Sequence, residues 1–273
     1  MYGICNLTLF PMRAEPSDRS EMVSQILFGE CYRIIDNVSE KKWLKIETFH
    51  DQYQGWIDRF QHFELSEKEF ELIAQNSQMI SMEVLRKISN INKVEECWIN
   101  IVIGSRFPCS DRILEKLGKT SRFITKLEAW ETAGNIAFRD SSQKTDFPEF
   151  QKIALKFIHT PYLWGGRTPF GIDCSGFTQQ VFGICGYQLK RDAYQQATQG
   201  HAISFEDRKA GDLAFFQNQE GRIIHVGILL EDDKITHASS WVRIDQLDEK
   251  GIFCVERNEY SHSFHSLRRI LEA

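Results

Sequence analysis

The chain has 273 residues, of which 42% are apolar and 26% are charged; this is typical of a globular protein and excludes a largely disordered one. There are 33 Lys and Arg residues against 38 Asp and Glu residues, and the resulting net charge of −5 argues against binding nucleic acid through a basic surface. No run approaches the roughly 18 consecutive apolar residues of a membrane-spanning helix, and at roughly 150 residues per domain the length predicts about two domains, or three small ones.

The start of the chain and its cysteines give expectations about compartment and cofactors. Residues 1–10 are mildly apolar but have no Lys or Arg ahead of the apolar stretch, so we expect a buried first strand rather than a secretory signal. The seven cysteines contain no C-x-x-C pair, and an odd number does not fit a disulfide scaffold. We therefore expect a cytoplasmic protein without metal or cofactor, in which at most one or two cysteines have a special role.

Residues 1–64 are rich in β-forming side chains. The predicted strands are residues 7–10, 23–28, 31–35, 43–48 and 55–57. Many short strands at close spacing predict a small β-barrel. The stretch 13–30, together with Gly55-Trp56-Ile57-Asp58, resembles the bacterial Src-homology-3-like domains that are attached to cell-wall enzymes.

Residues 65–142 are predicted to form a second, diverged barrel of the same type. A helix over 65–85 begins this region, and Ser66 with Glu69 fits a capping box at its start. Further on, residues 97–103 and 123–125 are predicted strands. The polar stretch 140–146 contains no apolar residue and is interpreted as a linker.

The C-terminal region, 143–273, combines helices with strands. A first helix is predicted to begin at its cap Asp146, with Pro148 in its first turn and an apolar stripe that runs to Phe157. A glycine-rich loop over 160–171 leads into a second helix, which Gly186 ends. Three strands follow. They are residues 212–217, 223–230 and 234–238. Helices followed by an antiparallel sheet indicate an α+β fold.

Cys174 lies where the glycine-rich loop becomes the second helix. A helix N-terminus carries partial positive charge and free N–H groups, which lower the pKa of a thiol and can hold the oxyanion that forms during acyl transfer. The polar neighbours Asp173 and Ser175 distinguish this position from that of a buried structural cysteine. We therefore predict that Cys174 is a nucleophile.

A cysteine nucleophile needs a base, and the base needs a partner that orients it. His225 is a lone imidazole in an apolar strand, where a polar side chain is costly unless it is satisfied or functional. If residues 231–233 form a three-residue loop, His237 on the next strand lies opposite residue 227, and both imidazoles face the same side, about 7–8 Å apart at Cα. An even loop length would put them on opposite faces. The spacing thus predicts a hydrogen-bonded histidine pair.

The other histidines are interpreted as structural or solvated. They are His50, His62, His159, His201, His262 and His265. A zinc site formed by Cys174, His225 and His237 is an alternative, but it lacks the compact ligand spacing of zinc motifs. We therefore expect no metal site.

Five motifs occur in a fixed order along the C-terminal region. They are Tyr162-x-Trp164-Gly165-Gly166, Asp173-Cys174-Ser175-Gly176-Phe177, Ala210-Gly211-Asp212-Leu213, His225-Val226-Gly227-Ile228 and His237-Ala238-Ser239. Together they resemble the NlpC-type cell-wall cysteine peptidases, which have a papain-like fold, and the resemblance covers residues 145–273. The order Cys, His, His also separates the chain from related lipid acyltransferases, which are circularly permuted. The implied architecture is α+β, with an NlpC-type domain over 143–273 behind two Src-homology-3-like barrels over 1–64 and 65–142.

With its first barrel included, the chain more narrowly resembles the γ-D-glutamyl-L-diamino acid endopeptidases. The resemblance implies that Cys174 is the nucleophile, His225 the base and His237 its orienter, and that Tyr162 assists at the oxyanion. It also implies a set of substrate contacts. These are Asp173, which would take the amino terminus of the substrate, then Ser175, Trp164, Arg191 and Asp192, and from the first barrel Tyr53 and Glu21.

The function implied by this resemblance is that of a cytoplasmic thiol peptidase in murein peptide recycling. It would cleave the bond between γ-D-Glu and an L-diamino acid, diaminopimelate or Lys, in free murein peptides that begin with L-Ala. This peptide is the expected partner, with no nucleic acid and no membrane span. Three alternatives stay open: an extracytoplasmic hydrolase of the intact wall, an amidase or acyltransferase on the same scaffold, and a non-catalytic wall-binding protein. The set of Cys174, His225 and His237 argues against the last.

Overall fold

The computed structural model describes residues 1–36, 42–74, 76–90, 98–108, 115–117, 120–124, 129–133 and 137–271. The chain divides into two compact units, Met1–Gln143 and Lys144–Ala273. This division lies within the polar stretch that was interpreted as a linker. The predicted boundary between residues 64 and 65 stays a prediction. Cys97 and Thr125, which belong to predicted strands, lie outside the described residues.

A seven-stranded antiparallel sheet forms the first part of the N-terminal unit. Its strands are β1 (Tyr2–Ile4), β2 (Leu9–Arg13), β3 (Met22–Leu27), β4 (Cys31–Asp36), β5 (Trp43–Thr48), β6 (Gln54–Asp58) and β7 (Phe63–Leu65), in the order β3-β2-β6-β5-β4-β1-β7. A 3₁₀ turn, Arg59–Gln61, precedes β7. Side chains such as Phe10, Ile26 and Tyr32 form its apolar core. The predicted strands are confirmed except at 7–10, where the strand begins two residues later because residues 7 and 8 form a bend.

The second part of the N-terminal unit begins with helix α1 (Glu67–Ala74), whose capping box between Ser66 and Glu69 is confirmed. The helix is shorter than predicted, since strand β8 begins at Gln78. The strands here are β8 (Gln78–Ser81), β9 (Leu85–Asn90), β10 (Trp98–Val102), β11 (Arg106–Pro108), β12 (Glu115–Leu117), β13 (Thr120–Ile124), β14 (Ala129–Ala133) and β15 (Phe138–Asp140). They form the sheets β10-β9-β14-β13-β12 and β11-β8-β15.

The two parts of this unit share a core. Phe28, next to β3, packs with Ile88, Ile101 and Phe107. Its carbonyl oxygen also accepts a hydrogen bond of 2.8 Å from the backbone N–H of Arg106. This shared packing explains why the contacts join residues 1–143 into one unit, and a second barrel of the Src-homology-3 type stays a prediction.

The C-terminal unit contains three helices, α2 (Phe147–Leu155), α3 (Cys174–Ile184) and α4 (Ala193–Gln196). A short hairpin lies between the first two and consists of β16 (Arg167–Thr168) and β17 (Gly171–Ile172). Asp146 caps α2 by accepting a hydrogen bond from the Glu149 N–H, and a proline occupies the first turn, as predicted. The apolar stripe of α2 packs on α3, where the rings of Phe150 and Phe182 lie 4.8 Å apart. This packing fixes α3, which begins at Cys174.

A second antiparallel sheet completes the C-terminal unit. Its strands are β18 (His201–Ile203), β19 (Leu213–Gln217), β20 (Ile223–Leu229), β21 (Lys234–Ser239), β22 (Trp241–Asp248), β23 (Gly251–Cys254) and β24 (Glu259–Arg269), in the order β18-β24-β19-β20-β21-β22-β23. An additional pairing of β24 with β23 closes six strands into a ring. The three predicted strands and the α+β class are confirmed, whereas β22 to β24 were not predicted. Among the described helices the longest, α3, has 11 residues, and none could cross a bilayer.

Candidate active site

Cys174 is the first residue of α3, and it is only 7% exposed. Asp173 is the N-cap residue, and its carboxylate accepts a hydrogen bond of 2.6 Å from the backbone N–H of Gly176. A side chain at position 176 is excluded, since a Cβ there would lie 2.3 Å from the carbonyl oxygen of Gly166. The glycine-rich loop therefore packs directly on the first turn of α3 and places Cys174 at the helix N-terminus, as predicted.

The carboxylate of Asp173 is fully engaged by neighbouring groups. Oδ1 accepts hydrogen bonds from Arg191 Nη1 at 3.0 Å and from Ser175 Oγ at 3.3 Å, in addition to the helix N–H. Oδ2 accepts from Arg191 Nη2 at 2.5 Å and from the Gly165 N–H at 2.8 Å. Without substrate, the carboxylate is therefore paired with Arg191 and accepts hydrogen bonds at both oxygens. The predicted contact of Asp173 with the amino terminus of a substrate stays a prediction.

A buried polar network holds this ion pair in place. The side chains of Arg191 and Asp173 are 1% and 9% exposed, and Arg191 Nη1 also donates to Ser175 Oγ at 2.9 Å. Gln196 donates to the carbonyl oxygen of Ser175 at 3.0 Å and accepts a hydrogen bond of 2.7 Å from the Thr178 hydroxyl. Arg191 and Ser175 thus lie beside the thiol, as predicted, but their polar atoms face each other and Asp173.

Three further predicted residues have different surroundings. Burial, followed by electrostatic interactions with Cys174 and Asp173, raises the pKa of Tyr162, so this half-buried phenol keeps its proton. Its backbone forms a β-bridge with Ile172, two residues before Cys174. Trp164 lies on the glycine-rich loop and is 61% exposed. Asp192 is the half-buried N-cap residue of α4. The structure therefore places Tyr162 beside the strand that leads to Cys174 and gives Asp192 a capping position.

The two predicted histidines lie on the hairpin of β20 and β21. Gly227 pairs with His237 and Leu229 with Ile235, which is the register that the three-residue loop predicted. A Cβ at position 227 would lie 2.9 Å from the Cβ of His237, so a glycine is needed opposite this imidazole. The absence of that side chain leaves room for His237 to reach diagonally across the sheet to His225.

Two further side chains, Asp245 and Arg243, extend this pair into a hydrogen-bonded series of four. His225 Nε2 lies 2.8 Å from His237 Nδ1, and His237 Nε2 lies 3.0 Å from Asp245 Oδ2. Arg243 binds Asp245 in a bidentate manner, with both contacts at 2.8 Å. Burial alone would raise the pKa of Asp245, but the hydrogen bonds from His237 and Arg243 lower it, so the carboxylate is ionised.

The ionised carboxylate sets the tautomers of both imidazoles. Asp245 only accepts, so His237 carries its proton on Nε2 and presents an unprotonated Nδ1. His225 then donates its Nε2–H to that nitrogen, which leaves Nδ1 of His225 unprotonated. His225 is therefore prepared to accept a proton at Nδ1.

The thiol and the base are both neutral in the substrate-free protein. Burial, and then the charge of Asp173, raise the pKa of Cys174 to about 12, although the N–H groups of Val226 and Ser175 interact with its sulfur and act in the opposite direction. Burial also moves the pKa of His225 well below its usual value. We expected the helix N-terminus to favour a thiolate; this was wrong, because the loss of hydration outweighs the helix field.

Asp245 and His262 are two residues at this site that the sequence analysis missed. Asp245 lies on β22, which was not predicted. Arg243 pairs with His237 in the register, and Asp245 follows Arg243 by two residues. His262 lies on β24, and its ring stacks on that of His225 with centroids 4.0 Å apart. The interpretation of His262 as structural or solvated stays a prediction. The segment 241–248 contains two acidic residues, Asp245 and Asp248, and nothing in its pattern distinguishes Asp245. His262 lies in a mostly polar stretch and gave no signal either.

Two predicted contributors lie in the N-terminal unit. Tyr53 immediately precedes β6, and its ring packs on the core of the first sheet. Glu21 is exposed and immediately precedes β3. Their predicted contribution to substrate binding stays a prediction.

Comparisons with known proteins agree with this arrangement. The family described as NlpC/P60 matches residues 159–254, which include Cys174, His225, His237 and Asp245. The family described as bacterial dipeptidyl-peptidase Sh3 domain matches residues 12–60. These ranges lie in the C-terminal unit and in the first sheet, respectively.

Similar curated proteins extend over most of the chain. The gamma-D-glutamyl-L-lysine dipeptidyl-peptidase of Bacillus subtilis (strain 168) is 28% identical over 227 residues, covering 79% of this chain and 71% of that protein. Dipeptidyl-peptidase 6 of Lysinibacillus sphaericus is 27% identical over 262 residues, covering 87% of this chain and 88% of that protein. Both alignments cover more than two thirds of this chain and of the relative.

Solved structures show the same fold. An NlpC/P60 family protein from Bacillus cereus superposes with a TM-score of 0.84 over 100% of both chains at 18% identity. An NlpC/P60 endopeptidase from Photobacterium damselae subsp. piscicida gives a TM-score of 0.68 at 15% identity, covering 97% of this chain and 70% of that one. The protein therefore carries an NlpC/P60 peptidase domain with the papain-like fold, and a bacterial SH3-type domain precedes it in the chain.

Proposed function

We propose that the protein is a cysteine peptidase that hydrolyses the bond between γ-D-Glu and an L-diamino acid in free murein peptides with an N-terminal L-Ala. The observation that carries the proposal is the hydrogen-bonded series His225–His237–Asp245 in an NlpC/P60 domain whose α3 begins at Cys174. The two long alignments, one with a gamma-D-glutamyl-L-lysine dipeptidyl-peptidase, support the substrate class.

The proposed reaction begins with proton transfer from a neutral thiol. Nδ1 of His225 takes the proton of Cys174 while Sγ attacks the γ-carbonyl carbon of D-Glu, and the π electrons of that carbonyl move onto its oxygen. The free N–H groups at the start of α3 and the protonated phenol of Tyr162 hold this oxyanion. Because the thiol is neutral at rest, His225 has to act as a general base in this step.

The same imidazole completes the cycle. The imidazolium of His225 returns its proton to the departing α-amine as the C–N bond breaks, which leaves a γ-glutamyl thioester on Cys174. A water molecule, deprotonated by His225, then hydrolyses the thioester and releases L-Ala-γ-D-Glu. His237 stabilises the imidazolium through its hydrogen bond, and Asp245 fixes the tautomer of His237.

We also propose that this peptidase acts in the cytoplasm, on peptides that cell-wall turnover releases. The free, buried thiols of Cys5, Cys31, Cys185 and Cys254 fit a reducing compartment. A peptide cut free from glycan has an unblocked N-terminal L-Ala, which is the feature that separates recycling from hydrolysis of the intact wall.

The test is a comparison of kcat/KM for L-Ala-γ-D-Glu-diaminopimelate and its N-acetyl form. We expect release of L-Ala-γ-D-Glu from the free peptide and at least about 100-fold less from the blocked one. Equal rates would favour the alternative of an extracytoplasmic wall hydrolase, and the absence of cleavage of either peptide would contradict the peptidase proposal. Asp173→Asn is not the variant for this test, because Arg191 already compensates that carboxylate.

Variants of the two histidines and of the thiol test the assigned roles. Cys174→Ala should abolish turnover, and His225→Ala should reduce kcat more than His237→Ala, since an orienting group contributes less than the base. His201→Ala is the matched control, because this histidine is exposed on β18 of the same unit. Equal, small losses in both histidine variants would contradict the assignment.

A further inference from the structure

Three imidazoles converge at the proposed base. His262 on β24 stacks on His225 with an interplanar angle of 20°, and its ring centroid lies 5.7 Å from that of His237. One ring nitrogen of each of the three histidines lies within 4.8 Å of the others. His225 and His237 are buried and His262 is half-buried, so the cluster is open to solvent on the His262 side.

The groups around the cluster resemble those of a metal centre. Protein metal sites commonly have a carboxylate that accepts the second N–H of a ligating histidine and so directs the other nitrogen toward the metal. Asp245 holds the Nε2–H of His237 in this way at 3.0 Å and leaves Nδ1 unprotonated toward His225. Ser261 occupies Nδ1 of His262 at 2.9 Å, which leaves Nε2 of that ring for a ligand.

We propose that His225, His237 and His262 form a binding site for a divalent transition-metal ion of the Zn²⁺ type, and that the bound ion inhibits the peptidase. Imidazole nitrogens suit such ions, and three of them with one open position is a common zinc arrangement. With Zn–N bonds of about 2.0–2.1 Å, tetrahedral ligands lie about 3.3 Å apart. The contact between His225 and His237 therefore lengthens from 2.8 Å, and both rings turn so that their lone pairs point at the ion instead of at each other. Because the lone pair of an imidazole nitrogen lies in the ring plane, the half-buried His262 also turns out of its stack on His225.

Inhibition follows from the tautomer of the base. The metal takes the lone pair of Nε2 of His225, and the proton that this nitrogen carried moves to Nδ1 through solvent. A neutral His225 protonated on Nδ1 cannot accept the proton of Cys174, and the charge of the ion opposes any second protonation. The ion therefore blocks the reaction without contacting the thiol. In this respect the site differs from the zinc site of Cys174, His225 and His237 that was considered from the sequence.

The binding test uses the Cys174→Ala protein, so that this thiol cannot contribute a ligand. We expect calorimetric titration with ZnCl₂ to show one site per chain, whose affinity falls at least about 100-fold when His262→Ala is added. His265→Ala is the matched control, since His265 also lies on β24 and bonds a neighbouring serine, Ser266 Oγ, at 2.8 Å, but is exposed. Unchanged binding in the His262→Ala protein would overturn the site.

A spectroscopic measurement gives an independent readout on the same protein. Co²⁺ in place of Zn²⁺ should give the intense visible absorption of a four-coordinate ion, and the His262→Ala change should remove it. Absorption that persists in that variant would place the ion elsewhere and contradict the site.

The inhibition test rests on the proposed function and is read separately from binding. Each variant is compared with its own zinc-free rate, so any direct effect of His262 on turnover cancels. We expect Zn²⁺ to inhibit the parent and the His265→Ala protein, chelator to restore both, and His262→Ala to need at least about 100-fold more Zn²⁺. Equal sensitivity of His262→Ala would contradict inhibition through this site. If the protein cleaves no murein peptide at all, the proposed function fails, and the titration still decides the metal site.

Discussion

The two sides of the active site each end in a buried Asp–Arg pair, and the two pairs differ in construction. On the helix side, Asp173 and Arg191 lie 18 residues apart, and their side chains are 9% and 1% exposed. On the sheet side, Asp245 and Arg243 lie two residues apart on one strand, and Arg243 is 10% exposed. The first pair joins two separate segments of the chain, whereas the second adds charge to a strand that the sheet already fixes.

This difference indicates different functions for the two pairs. Every oxygen of Asp173 is used to hold the loop and the first turn of α3, so the pair fixes where Cys174 stands. Asp245 uses one oxygen for His237 and is balanced by Arg243, so its pair fixes which nitrogens carry protons. We therefore expect damage to the helix-side pair to appear mainly in stability, and damage to the sheet-side pair mainly in kcat.

The largest effect should come from Arg191→Met. This change leaves Asp173 as an unpaired buried carboxylate, which should lower the free energy of unfolding by about 3–5 kcal/mol. Urea denaturation measures the loss. Adding Asp173→Asn to Arg191→Met should recover part of it, because the uncompensated charge is then gone. A loss of less than about 1 kcal/mol in the single variant would mean that the pair does not hold the helix start.

Asp245→Asn should come next and should act on turnover. An amide at this position can donate to His237 Nε2, which favours the tautomer of His237 that carries its proton on Nδ1. Nδ1 of His237 then no longer accepts the hydrogen bond that orients His225. We expect kcat for the murein tripeptide to fall by about 100-fold, with little change in the urea midpoint. A large stability loss with normal kcat in the remaining folded protein would contradict the distinction between the two pairs.

Much of the site was predictable because local rules govern it. The parity of the loop 231–233 determined that His225 and His237 share a face, and the cap and glycines around Cys174 determined the start of α3. Asp245 and His262 escaped because they reach the pair through β22 and β24, which follow turns without a clear sequence pattern.

The helix-side ion pair escaped prediction for a different reason. Arg191 approaches Asp173 across 18 residues through a loop, and no periodicity in the sequence encodes such a contact. The same limit applies to the first unit, where barrel strands were predicted from local composition but the packing of Phe28 on Phe107 was not.

The third prediction concerns the thiol that the helix-side pair positions. Because burial and the charge of Asp173 raise the pKa of Cys174 to about 12, the thiolate fraction grows with pH throughout the measurable range. The rate of alkylation by iodoacetamide at Cys174 should therefore rise about tenfold per pH unit between about pH 6 and 9. Mass spectrometry of the labelled peptide follows this residue specifically. A rate that is flat across this range would instead indicate a preformed thiolate.

The smallest effect should come from Arg243→Met, which keeps the hydrogen bond from His237 to Asp245 but removes the charge and the bidentate contact of Arg243. We expect kcat at neutral pH to fall about three- to fivefold, a change of about 1 kcal/mol or less in the barrier. Arg243 and His237 both hold the pKa of Asp245 down, so the loss of Arg243 raises that pKa. As pH falls, Asp245 then takes up a proton at a higher pH than in the parent and stops accepting from His237.

The pH profile therefore separates this effect from simple structural damage. In Arg243→Met the acidic limb of kcat should move to higher pH, whereas damage to packing would lower kcat equally at every pH. Arg208→Met is the matched control, because Arg208 also forms an ion pair with an aspartate, Asp233, but this residue lies in the turn between β20 and β21 and its side chain is 60% exposed. Its profile should follow the parent. An unshifted acidic limb in Arg243→Met would mean that Asp245 needs no compensating charge, and the two Asp–Arg pairs would then differ more than their geometry suggests.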